Sequence, residues 1–135
     1  MTTEANNTTE RNALNALAEY VALHIRKNEG IIKDYMEALA ENFMESFEWK
    51  LKTIYKCNLK LEYLVEINKL LAEDGCTEEA MEFYLRHTIE DKTDDIVHAR
   101  SKFANCTATL AQRWKYETAK DIIGLAYKLL EYIED

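Results

Sequence analysis

The chain contains no proline and only three glycines, Gly30, Gly75 and Gly124, in 135 residues. Proline and glycine are the strongest turn-forming residues, and a fold built from many short strands needs frequent turns. Apolar residues make up 47% and charged residues 31% of the chain, a balance typical of amphipathic helices around a common core. The sequence therefore predicts an all-α fold, a single bundle of four to five helices that includes one or two long helices.

Apolar residues recur at helical spacing in several stretches, which are separated by capping residues or by glycine. The longest stretch contains neither glycine nor proline, and the sequence allows either one uninterrupted helix or two helices there. A break at residues 56–58 is left open as an alternative, because Asn58 competes for backbone hydrogen bonds. The predicted helices cover residues 9–28, 31–74, 77–90 and 93–135.

A chain of this length is typical of one domain. Residues 1–8 are polar and lack the basic and apolar regions of a signal peptide, so a disordered tail is predicted there, followed by a single helical domain over residues 9–135. No stretch reaches the length of a transmembrane helix. A cytoplasmic location without a membrane partner is therefore predicted.

The formal net charge of the chain is −8 at pH 7. Proteins that bind nucleic acid through its phosphates need clustered lysine and arginine side chains. Direct binding to nucleic acid is therefore not expected. No glycine-rich phosphate loop, nucleophile motif or zinc-type ligand spacing occurs in the sequence, so no catalytic residue, metal ligand or cofactor is predicted.

The charges between residues 37 and 60 are arranged as a mirror, with three glutamates four residues apart followed by three lysines four residues apart. Like charges at this spacing repel each other along one helix, whereas an antiparallel second copy would place each acid opposite a base. A homodimer is predicted on this ground; in the alternative, both runs face solvent or pair within the chain. The candidate dimer residues are Glu37, Glu41, Glu45, Lys52, Lys56, Lys60, Phe43, Phe47, Trp49 and Ile54.

Acidic residues heavily outnumber basic residues between positions 73 and 95. A helical protein that displays carboxylates can occupy the basic groove of a nucleic-acid-binding enzyme, which requires electrostatic complementarity but no catalytic residue. In composition and helicity the chain is similar to the antirestriction and anti-CRISPR proteins of phages. The predicted function is a non-catalytic regulator or inhibitor, from a phage or mobile element, that binds a basic protein surface and blocks a nucleic-acid-processing defence complex such as a CRISPR or restriction enzyme. The candidate partner-facing acids are Glu73, Asp74, Glu78, Glu79, Glu82, Glu90, Asp91, Asp94 and Asp95.

Two other functions stay open. The all-α nucleotide pyrophosphatases, among them the MazG-like enzymes, use Glu-x-x-Glu on one helix and Glu-x-x-Asp on another to hold Mg²⁺. The pair Glu45 and Glu48 resembles the first motif, and Asp91 with Asp94 resembles the second except that it begins with aspartate. A Mg²⁺-dependent nucleotide pyrophosphatase is therefore one alternative, and a structural subunit of a larger complex is the other.

Overall fold

The computed structural model describes the backbone of residues 2–104 and 109–133 and the side chains of residues 13–99 and 109–133. The described residues form four helices and no strand, which confirms the predicted all-α bundle with long helices. The helices are α1 (Thr2–Glu41), α2 (Phe47–Ala72), α3 (Glu78–Ala104) and α4 (Leu110–Leu130).

Helix α1 is continuous through Gly30, so the predicted helix end at this glycine is wrong, as is the predicted start at Thr9. A methyl group added at Gly30 would meet no atom within 4 Å, and no close approach therefore requires glycine here. Glycine inside a helix costs about 1 kcal/mol relative to alanine, which packing of the apolar face elsewhere along the helix can offset. The division into a tail over residues 1–8 and a domain over residues 9–135 stays a prediction.

The chain reverses between Asn42 and Ser46, and the predicted single helix over residues 31–74 is therefore wrong. The Asn42 side-chain amide donates a hydrogen bond to a Glu45 carboxylate oxygen over 3.0 Å. Ser46 adopts a left-handed backbone conformation with φ of 51°, and its carbonyl oxygen accepts the first hydrogen bond of α2, from Lys50, over 2.9 Å. The alternative break at residues 56–58 is also wrong. The turn does contain an asparagine, whose side chain forms the hydrogen bonds that favour turns, but this residue is Asn42 and not Asn58.

Helix α3 runs without interruption through residues 88–95, where the sequence predicted a boundary between helices. The hydroxyl groups of Thr88 and Thr93 donate to the backbone carbonyls of Tyr84 and Ile89 over 3.0 and 2.7 Å, so both threonines are satisfied inside the helix. The predicted last helix over residues 93–135 is therefore wrong. A new helix starts after Thr109, whose side chain and backbone exchange hydrogen bonds with Gln112 in a capping box.

The four helices form two antiparallel hairpins, α1 with α2 and α3 with α4. Helix α2 packs on α4 in the same direction, because Lys52 pairs with Glu117 and Lys56, one turn later, pairs with Asp121. Helices α1 and α4 are barely in contact along the described residues. The bundle is therefore open on the side between α1 and α4.

The apolar core lies in the half of the bundle next to the connection between α2 and α3. In the other half, next to residues 42–46, no apolar side chain of residues 31–55 is buried. The core is thus confined to one end of the molecule. Its buried residues are Leu17, Val21, Tyr63, Leu64, Ile67, Met81, Leu85, Ile122, Ala126, Leu129 and Leu130.

Replacement of Leu64 by alanine should lower the free energy of unfolding by about 2–5 kcal/mol. The leucine side chain is fully buried, so its truncation would leave a cavity in the core. The matched control is Leu23→Ala on α1, where the leucine is 54% exposed and the expected change is within about 0.5 kcal/mol. Urea denaturation followed by circular dichroism measures both. Equal losses in the two variants would contradict the assigned position of the core.

Replacement of Gly30 by alanine should raise the free energy of unfolding by about 0.5–1 kcal/mol, because alanine restricts the unfolded chain and fits the helix without a clash. Gly75 offers the opposite control, since its φ of 83° lies where an L side chain costs roughly 1–2 kcal/mol. Thermal unfolding should therefore give a higher midpoint for Gly30→Ala and a lower midpoint for Gly75→Ala. A lower midpoint for Gly30→Ala would contradict a continuous α1.

Candidate functional site

The end of the α1–α2 hairpin, residues 36–49, carries the densest group of exposed apolar side chains in the described residues, and we call this segment the tip. Met44 and Trp49 are 79% and 60% exposed. The rings of Phe43 and Phe47 lie 5.1 Å apart, centroid to centroid, yet both remain accessible to solvent. These side chains lie in the turn that reverses the chain or on the helix residues next to it.

Glutamates surround the apolar side chains of the tip. Glu37 and Glu41 lie on the last turns of α1, Glu45 lies in the connection, and Glu48 lies on the first turn of α2. All four are exposed. The tip is therefore an apolar patch with an acidic border, and its predicted dimer residues Phe43, Phe47 and Trp49 are all accessible. Ile54, which the sequence groups with them, is half-buried on α2.

The lysines of the charge mirror do not continue the acidic run. Lys52 lies 2.7 Å from Glu117, and Lys56 lies 3.7 Å from Glu117 and 3.2 Å from Asp121. A hydrogen bond from Lys52, assisted by the charges of both lysines, holds the pKa of Glu117 below its usual value. The single helix on which the mirror depends is not formed. The two lysines pair within the chain, and the predicted homodimer loses the charge pairing that motivated it.

Replacement of Lys52 and Lys56 by glutamine should raise the pKa of Glu117 toward its ordinary value of 4.5. Because the folded-state pKa is depressed, the pairing stabilises the fold above pH 4.5, and the contribution is lost as the pH falls through the folded-state value. These side chains are partly exposed, so the loss in stability at neutral pH should not exceed about 1 kcal/mol. Carbon-detected NMR titration of the Glu117 carboxyl group measures the shift. An unchanged pKa would contradict the pairing.

The acids predicted to face a partner lie along the α2–α3 connection and α3. Glu78 and Glu82 are partly buried, and the others are exposed. Three of the acids pair locally: Glu82 with Arg86, Asp91 with His87 and Asp95 with Lys92, at 3.0, 3.4 and 3.9 Å. The acids without an ion-pair partner among the described residues are Glu73, Asp74, Glu79, Glu90 and Asp94.

No metal site is evident in the described part of the chain, where no group of three or more Asp, Glu, His or Cys side chains could hold an ion. Glu45 and Glu48 lie at the tip, whereas Asp91 and Asp94 lie on α3. The two carboxylate pairs that resemble the pyrophosphatase motifs are thus not brought into one cluster. Among the described helices, none combines the length and apolar character needed to span a bilayer.

A basic cluster that the sequence did not predict lies on the open side of the bundle. Lys27 of α1, Lys60 of α2 and Lys120 of α4 line one groove together with His24. These residues are far apart in the sequence, and Lys60 belongs to the lysine run of the charge mirror, so no local pattern groups it with Lys27 and Lys120. Only the packing of α1 and α4 on either side of α2 brings them together.

No protein-family model matches the chain, and comparison with curated proteins and with solved structures finds no significant similarity.

Proposed function

We propose that the protein is a non-catalytic regulator or inhibitor that binds another protein through the tip. The observation that carries this proposal is the exposure of Phe43, Met44, Phe47 and Trp49 on one turn, within a border of exposed glutamates. Contiguous exposed apolar side chains with a polar rim are characteristic of protein-binding sites. Aromatic residues and methionine are also the types enriched in the cores of such interfaces.

The charge of the tip favours a basic partner. Glu37, Glu41, Glu45 and Glu48 are all exposed. The nearest lysine, Lys50, is buried and donates to the Asn42 carbonyl oxygen over 3.4 Å, and Lys52 and Lys56 pair with α4. A two-fold contact centred on the tip would bring the exposed glutamates of two copies together, and like charges brought together in an interface disfavour it. A partner with lysine or arginine around an apolar pocket complements the tip better than a second copy does.

The acids of α3 form a second negative surface. Residues 78–95 span about 26 Å at 1.5 Å per residue, and this length carries the unpaired acids Glu79, Glu90 and Asp94. An extended acidic surface raises the rate of encounter with a basic surface and makes binding sensitive to salt. Nucleic-acid-processing enzymes of defence systems, such as restriction and CRISPR enzymes, present basic grooves of this kind. Such enzymes are the proposed targets, and a phage or mobile element is the proposed source.

The proposed mechanism is occlusion and needs no chemical step. The apolar side chains of the tip would insert into the target surface and supply most of the affinity, because buried aromatic side chains dominate interface energies. The glutamates would orient the contact and would occupy positions that nucleic-acid phosphates otherwise take. The target would lose access to its substrate while the complex persists.

The test measures DNA cleavage by a panel of purified restriction and CRISPR enzymes in the presence of the protein. We expect at least one enzyme to be inhibited, less so at high salt. The variant Glu37→Gln/Glu41→Gln/Glu45→Gln should weaken inhibition about tenfold, and Trp49→Ala should weaken it similarly.

The matched control is Glu19→Gln/Glu29→Gln/Glu62→Gln, which changes the net charge equally at exposed positions outside the tip. This control should inhibit as the native protein does. Inhibition that both triple variants weaken equally would contradict a role for the tip, and cleavage unchanged across the whole panel would contradict the proposed target class.

A further inference from the structure

A groove runs along the open side of the bundle, between α1 and α4, with α2 as its floor. Its volume is about 540 Å³, within the range of roughly 300–1,000 Å³ that is typical of small-molecule sites. Leu64 is fully buried beneath the floor, and the partly exposed Ile31, Leu125 and Tyr20 side chains supply the apolar surface of the groove. Gly124 on the α4 wall leaves space where a side chain would otherwise project.

The charged side chains of the groove are mostly lysines. Lys27 comes from α1, Lys60 from α2, and Lys120 and Lys128 from α4, whereas Asp121 is the one acid in the lining. Asp121 pairs with Lys56, outside the groove, at 3.2 Å.

Three of these lysines have no carboxylate partner. Lys128 pairs with Glu131 at 3.1 Å, but Lys27, Lys60 and Lys120 form no ion pair with any described residue. The Lys120 ammonium lies 4.6 Å from the centre of the Tyr116 ring, in a cation–π contact. Three lysines without a carboxylate partner, one from each of three helices, thus line one groove, in a protein whose net charge is −8.

The pKa of His24 reflects the positive electrostatic potential inside the groove. Its side chain is half-buried, and burial together with the charges of Lys27 and Lys60 lowers its pKa. Both lysines are therefore close enough to disfavour a further positive charge on the imidazole. An anion placed among them would be attracted for the same electrostatic reason.

We propose that this groove binds a small organic phosphate, a phosphomonoester group carried on an apolar or aromatic body. Lys27, Lys60 and Lys120 hold the phosphate, since ammonium groups bind phosphate as point charges. A phosphomonoester carries a charge of about −1.5 to −2 at neutral pH, which matches the uncompensated lysines better than a single carboxylate does. The apolar body lies on Ile31 and Leu125, which are partly exposed in the groove. This site is separate from the tip and does not depend on the proposed protein-binding function.

The first experiment follows the three histidine side chains by NMR during a titration with phenyl phosphate. The His24 resonances should shift and saturate. The pKa of His24 should rise in the complex, because a bound dianion offsets the charges of Lys27 and Lys60. His87 and His98 lie on α3, away from the groove, and their resonances should not move. Phenol, which lacks the phosphate, should not produce the shift.

Matched variants locate the site. The double variant Lys27→Gln/Lys60→Gln should lose affinity for phenyl phosphate by about tenfold or more. The control Lys33→Gln/Lys69→Gln removes the same charge from the same two helices at exposed positions and should bind normally. Gly124→Phe changes no charge, places a ring into open space at the groove wall and should also abolish binding. It tests the site even if the lysine variant does not fold.

Three outcomes would overturn the proposal. The His24 resonances could fail to respond to phenyl phosphate, the two lysine variants could weaken binding equally, or Gly124→Phe could fold and bind as the native protein does. Benzoate that bound as tightly as phenyl phosphate would contradict the assignment to a phosphomonoester.

Discussion

The reversal of the chain between Asn42 and Ser46 determines which helices of the protein can meet. A helix over residues 31–74 would extend about 65 Å, and its two ends could not pack against each other. The reversal instead folds α2 back on α1, so that Leu64 and Ile67 reach Leu17 and Val21. The Asn42–Glu45 hydrogen bond and the left-handed conformation of Ser46 are the local features that form the turn. Burial of the core at the far end of the hairpin supplies the larger stabilisation.

The same reversal produces the uneven distribution of apolar residues. One end of the bundle has a core to which all four helices contribute, whereas the tip presents Met44 and Trp49 to solvent. Near the tip, α2 contacts α4 through the Tyr55 and Trp114 rings, whose centroids lie 5.8 Å apart, and through the charged pairs of Lys52 and Lys56 with Glu117 and Asp121. Such charged pairs contribute little stability at partly exposed positions. The buried core at one end therefore supplies most of the stabilisation, whereas the apolar side chains of the tip stay exposed.

The charges of the molecule separate into two regions of opposite sign. Exposed glutamates border the tip, and further acids follow α3, whereas Lys27, Lys60 and Lys120 converge on the groove between α1 and α4. The net charge of −8 is a sum over the whole chain and does not show the local charge of either region. An acidic protein can therefore complement a basic partner at one surface and an anionic small molecule at another.

The sequence by itself determined the all-α class, since helix propensity, amphipathic spacing and the near absence of turn residues are local properties. It also predicted Phe43, Phe47 and Trp49 as interaction residues, which stays a prediction; the structure shows all three side chains exposed in or next to the turn. Only the tertiary structure decided where the helices end, because asparagine can form a turn at position 42 as well as at position 58, and the choice depends on which apolar faces become buried together. For the same reason Lys52 and Lys56 pair with α4 while Lys60 lines the groove. Contacts between distant residues follow from helix packing, which no local pattern specifies.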